Sequence, residues 1–180
     1  MTVIALAGRR TDAADAKDPR FPPANAPFVK ERIRRQLERL PTRALVCSAA
    51  CGADLIALDA ADELGIRRRV ILPFEEARFR KTSVVDRGAE WGTSFDRIMA
   101  DVRARNDVVT LEAGDSETAA YAAANTMILD DAQAVAAEAG DDVVVVLVWE
   151  GTSRGEGDVT GAFGREAHLR GLPVLQVLTR

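Results

Sequence analysis

The chain has 180 residues, 47% of them hydrophobic, which is enough for one complete core and gives no reason to expect a second domain. Its formal net charge of -4 supplies no general attraction to phosphate backbones, which argues against broad DNA or RNA binding. The apolar run Val3 to Ala7 is cut by Arg9 and Arg10 far short of a secretory or membrane-spanning segment, so the expectation is a cytoplasmic protein with no membrane partner.

In chain order, Val3 to Ala7 reads as a strand, followed by an unusually long loop, Gly8 to Ala26. Pro27 suits the first turn of a helix whose inner face would be Phe28, Ile33, Leu37 and Leu40. After a strand at Ala44 to Cys47, a second helix opens around Gly52 to Asp54, buries Leu55, Leu58 and Leu64, and stops at Gly65. Arg67 to Arg69 reads as a solvated run before the strand Val70 to Leu72. Beyond Phe74 and Phe79, which suit core cover or base stacking, a helix from about Thr93 to Arg105 turns Phe95, Ile98, Met99 and Val102 inward.

A strand at Val108 to Leu111 precedes an alanine-rich helix from about Ser116 to Ala139, with Ser116 and Glu117 suited to its amino end and Gly140 to its close. Val143 to Trp149 is nearly unbroken and β-branched, as expected of a strand covered on both faces. A second long loop, Glu150 to Thr160, leads to a helix near Ala162 to Arg170 and a last strand, Val174 to Val177. This alternation predicts one α/β domain over residues 1–180, doubly wound, with three layers around a mainly parallel sheet of about six strands.

Cys47 and Cys51 are separated by three residues and the lone His168 is far away in sequence, so no zinc set assembles and no metal or other cofactor is implied. Both thiols read as buried or loop residues rather than redox groups. The chemistry-bearing positions follow strands. Gly8 permits close approach and Arg9 offers a planar fork to phosphate, or the pair is an ordinary charged turn. Ser48-Ala49-Ala50-Cys51-Gly52-Ala53-Asp54 joins a strand to a helix with small residues, leaving amides and the helix dipole for an anion. Asp54 there either caps the helix or contacts a ribose. Gly151, Thr152 and Thr160 could wrap a ligand or belong to a flexible surface loop, and Asn125 needs a hydrogen-bond partner inside its apolar helix.

Ala-Gly-Arg-Arg after the first strand, Arg20-Phe21-Pro22-Pro23, Ser48 to Asp54, Val70 to Phe74, Trp91 to Phe95, Asn125 and Gly-Leu-Pro-Val at 171–174 together resemble the SLOG superfamily over nearly the whole chain. That superfamily takes in the DprA (Smf) proteins, the LOG "lysine decarboxylase-like" phosphoribohydrolases and nucleotide-sensing domains, and the similarity is greatest to the sensing members. The resemblance implies a Rossmann-like fold and a pocket for a nucleotide-like small molecule lined by Gly8, Arg9, Ser48, Ala49, Gly52 and Asp54, with Gly151, Thr152 and Thr160 contributing. The Pro-Gly-Gly-x-Gly-Thr-x-x-Glu motif of the LOG hydrolases is replaced here by Trp149-Glu150-Gly151-Thr152-Ser153-Arg154-Gly155. Catalysis is therefore not expected, although Glu150 and Glu166 are candidates for aiding departure of a base. The leading expectation is a ligand-sensing domain. A nucleoside 5′-monophosphate phosphoribohydrolase, and a protein-interaction domain with a vestigial pocket, are the alternatives, and relatives of this fold are often homodimers. Gly52→Glu is expected to abolish binding with the fold largely intact, except that a positive φ at Gly52 would add backbone strain and confuse folding with binding, and Arg9→Ala is expected to weaken binding.

Overall fold

The computed structural model describes residues 1–112 and 116–180. Six strands, β1 (Thr2–Gly8), β2 (Thr42–Cys47), β3 (Arg67–Leu72), β4 (Val108–Thr110), β5 (Asp142–Trp149) and β6 (Val174–Leu178), form one sheet in the order β4-β3-β2-β1-β5-β6. Every pairing is parallel. The helices are α1 (Ala26–Arg39), α2 (Ala53–Glu63), α3 (Glu76–Ser83), α4 (Glu90–Ala104), α5 (Glu117–Ala139) and α6 (Val159–Leu169). The chain winds outward from β1 to β4, then α5 carries it back to β5 on the other side of β1. Strand order thus reverses between β1 and β5, the place where an open α/β sheet leaves a crevice beyond its carboxyl ends. The fold is a three-layer, Rossmann-like α/β/α domain.

Alternation along the strands distributes the core. Ile4, Leu6, Leu45, Cys47, Val70, Leu72, Val146 and Val148 share one core with residues of α1, α2, α3 and α4. Val3, Ala5, Ala7, Val46, Val145 and Leu147 face the other way, onto α5 and α6. Two covered faces explain why β5 is apolar at successive positions, and it lies inside the sheet between β1 and β6. Among the described residues no helix is long and apolar enough to cross a membrane.

Three expectations are revised by tertiary contacts, and one helix, α3, was not expected. The inner face of α1 is Val29, Ile33 and Leu37, whereas Phe28 is 46% exposed and lies 3.8 Å below the Arg32 guanidinium. Arg67 to Arg69 belong to β3 rather than preceding it. Arg68 is buried against Asp62 and Asp101, Arg67 binds Asp107, and Arg69 binds Asp107 and Asp131, so carboxylates gathered from other elements let a cationic run enter a sheet. Helix α3 has no long apolar period. Its start is made by the Glu75 carboxylate, which accepts from the amides of Ala77 and Arg78, and its packing by the buried Phe79. Helix α6 begins at Val159, so Thr160 and Gly161 lie in its first turn, because Asp158 caps it through the Gly161 amide.

Candidate functional site: a cleft over the ends of β1 and β5

Gly8 ends β1 where α2 crosses the sheet. A Cβ there would lie 2.3 Å from the Ala53 Cβ and 2.7 Å from the Val148 carbonyl oxygen, so only glycine allows the strand and helix to meet. The loop that follows is an ordered wall. Asp12 accepts hydrogen bonds from the amides of Arg20 and Phe21 and donates its own amide to the Phe21 carbonyl. Phe21 is fully buried, and the Thr179 hydroxyl donates to the Arg20 carbonyl.

The Arg9 side chain turns inward. Its Nε donates to Glu150 Oε2 at 2.7 Å, its Nη1 to Asp158 Oδ1 at 2.5 Å, and its Nη2 to Glu150 Oε1, Asp158 Oδ2 and the Thr152 carbonyl, each at 3.1 Å. Arg20 also binds Glu150, and both carboxylates are sealed from solvent. Burial pushes the Glu150 and Asp158 carboxyls up, but the arginine and amide hydrogen bonds outweigh it and hold both below the ordinary range. Arg9 therefore fastens the ends of β1 and β5 together, and its fork, expected to grip phosphate, is filled by carboxylate oxygens.

The amino end of α2 is likewise largely satisfied from within. Ala50 N–H donates to Asp54 Oδ2, Cys51 N–H to the Ser83 carbonyl, and Ala53 N–H to the Arg9 carbonyl. Gly52 has φ +97°, and a Cβ there would lie 2.6 Å from the Thr11 nitrogen. This glycine is an internal joint between two loops, and its positive φ is the condition under which Gly52→Glu strains the fold as well as the site.

Between these walls lies a cavity of ≈ 600 Å³, within the range of small-molecule pockets. Its apolar side includes Leu6, Tyr121 and Ile128. Tyr121 shares a hydrogen bond with Ser83 at 2.5 Å and meets Phe74 edge-on. Asn125, at the back, donates to the Val159 carbonyl at 2.9 Å, binding α5 to the start of α6. The polar side carries Arg10, Thr11, Ser48, Asp54, Arg87, Arg154 and Thr160. The Thr11 and Ser48 hydroxyls are buried with no hydrogen-bond partner of normal geometry, although Thr11 lies beside the Cys51 thiol. Such groups are costly unless something else satisfies them.

Burial raises the Asp54 carboxyl to about 7, against the opposing influence of the Ala50 amide and Arg10. Burial also pushes up both thiols, Cys47 strongly and Cys51 against the nearby Arg10.

Of the residues singled out in the sequence, Gly8, Arg9, Ser48, Asp54 and Thr160 border this cavity. Ala49 and Gly52 are buried beside it without lining it, while Gly151 and Thr152 are exposed outside it. Glu150 is sealed behind the Arg9 and Arg20 side chains, and Glu166 lies on α6, bound to Arg170 and Thr126. Neither candidate acid lines the cavity. Arg10, Thr11, Arg87, Tyr121 and Arg154 were not assigned from the sequence. Arg10 and Thr11 directly follow Arg9, which was, but no local pattern marks the other three.

No family model matches the chain, and no curated protein matches it. Among solved structures it is similar to DNA processing protein A (DprA) from Streptococcus pneumoniae, at 15% identity and a TM-score of 0.40. The match covers 96% of this chain and 57% of that one, so the chain spans little more than half the length of that protein.

Proposed function

We propose that the cleft binds a nucleotide or nucleotide derivative, as the SLOG resemblance of the sequence implies, and senses it without turning it over. The observation that carries this reading is the cavity itself. It lies at the reversal of strand order and holds two buried, unpartnered hydroxyls, Thr11 and Ser48, with Arg10, Arg87 and Arg154 around them. Hydroxyls and guanidiniums are donors suited to phosphate oxygens, and Tyr121 offers a ring to a base. Single domain and single site go together in this reading, with residues 1–180 forming one ligand-binding unit.

A LOG-type phosphoribohydrolase would need a carboxyl able to reach the glycosidic bond. Glu150 is sealed and doubly ion-paired and Glu166 lies elsewhere, which favours binding over cleavage. The carboxyl that does line the cavity, Asp54, is the reason to keep the hydrolytic alternative under test. The test is a thermal-shift screen against mononucleotides, cyclic nucleotides and ADP-ribose, with chromatography of each incubated ligand. A ligand at about a hundred times its dissociation constant adds about 2.7 kcal/mol to stability. Binding with the ligand recovered unchanged supports the sensor, free base among the products supports the hydrolase, and no shift with any nucleotide leaves the protein-interaction reading.

A further inference from the structure

We propose that Asp54 couples ligand binding to proton uptake: the anionic oxygens of a nucleoside phosphate accept hydrogen bonds from Thr11, Ser48 and the protonated Asp54 carboxyl, and the cleft loosens its hold when Asp54 ionises. The inference rests on the nucleotide-binding reading and deepens it.

The geometry supplies the reason. Asp54 is 7% exposed, in the first turn of α2, and lines the cavity together with the two unpartnered hydroxyls. Its Oδ2 accepts the Ala50 amide at 3.1 Å, and among the described residues Oδ1 has no hydrogen-bond partner. The Thr11 hydroxyl, in a residue 2% exposed, has only the Cys51 thiol beside it and no hydrogen bond of normal geometry, a second sign that this wall receives a ligand.

The surroundings do not neutralise the carboxylate. From β2, Cys47 faces Asp54 with a thiol that stays protonated. From the loop after β1, Arg9 is consumed by Glu150 and Asp158, Arg20 is bound to Glu150, and Arg10 is bound to Asp86 and to the Cys51 sulfur. Asp12 and Asp18 of the same loop, and Glu117 of α5, add negative charge around the cavity. Arg87 and Arg154 line it from the turn after α3 and from the loop after β5, without a hydrogen bond to Asp54. A buried carboxyl so placed titrates near neutrality, and its two forms act oppositely on a phosphate oxygen: the acid donates, the anion repels.

The test is titration calorimetry with ADP-ribose at pH 6, 7 and 8, in two buffers of different ionisation enthalpy. The charge of its diphosphate diester does not change over that range, so the pH dependence belongs to the protein. The dissociation constant should rise about tenfold from pH 6 to pH 8, with a fraction of a proton taken up at pH 7. Asp54→Asn can still accept from Ala50 with its oxygen and donate with its amide. It should bind at pH 8 as the parent does at pH 6, with the slope gone. A slope unchanged in Asp54→Asn, or parent affinity that is flat or rises with pH, overturns the coupling while the nucleotide reading stands. If neither ADP-ribose nor any nucleotide of the panel binds at any pH, the nucleotide reading falls and the coupling with it.

Discussion

The Arg9 guanidinium and the Glu150 carboxylate, 141 residues apart in the chain, meet through two hydrogen bonds, Nε to Oε2 at 2.7 Å and Nη2 to Oε1 at 3.1 Å. With Asp158 on the same guanidinium, this joint holds the two loops that flank the cleft. Arg9→Ala is therefore expected to cost about 3–5 kcal/mol in urea denaturation, because the buried Asp158 carboxylate loses its counter-charge and Glu150 is left with Arg20 alone. Arg9→Lys should recover only part of it, since an ammonium cannot serve both carboxylates as a fork does. A denaturation midpoint unchanged in Arg9→Ala would show that the joint contributes nothing to the fold.

Gly52 lies at φ +97° against the Thr11 backbone. Even Gly52→Ala should destabilise the protein by about 2 kcal/mol or more, through strain of about 1–3 kcal/mol together with steric overlap. The control is Gly155→Ala. That glycine also has positive φ, but no atom lies within 4 Å of its added Cβ, so strain alone should register there. Equal losses at the two sites would mean that the Thr11 backbone gives way freely.

Asp54 also predicts how stability varies with pH. Its ordinary value is 3.8 and burial raises it to about 7 in the folded chain. A carboxyl raised on folding favours the native state fully below its unfolded value, and that contribution is lost as pH rises through about 7. Asp54→Asn should thus be close to neutral at pH 4 and stabilising at pH 8.5, by up to on the order of 4 kcal/mol. Melting curves of both proteins across that range give the answer, and a difference that does not change with pH would refute it.

Arg154 lines the cavity from an exposed loop, and among the described residues its guanidinium has no ion-pair partner. Arg154→Ala should leave the melting temperature within about 1 °C of the parent while weakening a phosphate-bearing ligand by about tenfold, a charge-assisted hydrogen bond being lost. Equal affinity for ADP-ribose in the two proteins would remove Arg154 from the site.

The sheet was legible in the sequence because its strands are short apolar runs punctuated by loops and capped helices. Ser116 and Gly140, expected at the ends of the longest helix, cap it through the Ala119 amide and a left-handed φ of 66°. The start of β3 was not legible: an arginine triplet looks solvated until Asp62, Asp101, Asp107 and Asp131 are brought to it from other elements. The loops that border the cleft were identified by their places after strands, which a parallel sheet carries to one edge. Individual roles within them were harder to read. Whether an arginine faces a ligand or a carboxylate depends on partners far away in sequence, and Asp158, which decides the matter for Arg9, gave no signal beyond being an acid near a helix start.

The strand order has a consequence for how the molecule comes apart. β1 is bonded to β2 on one side and, from Thr2 opposite Asp142 to Gly8 opposite Val148, to β5 on the other. A chain severed between β4 and β5 would leave one fragment with the flank of β1 bare and another with only two strands, fewer than a sheet needs to persist alone. The two-stranded fragment is therefore not expected to fold alone. Denaturation should proceed as a single cooperative transition, with the amide hydrogens of β1 exchanging only through global opening.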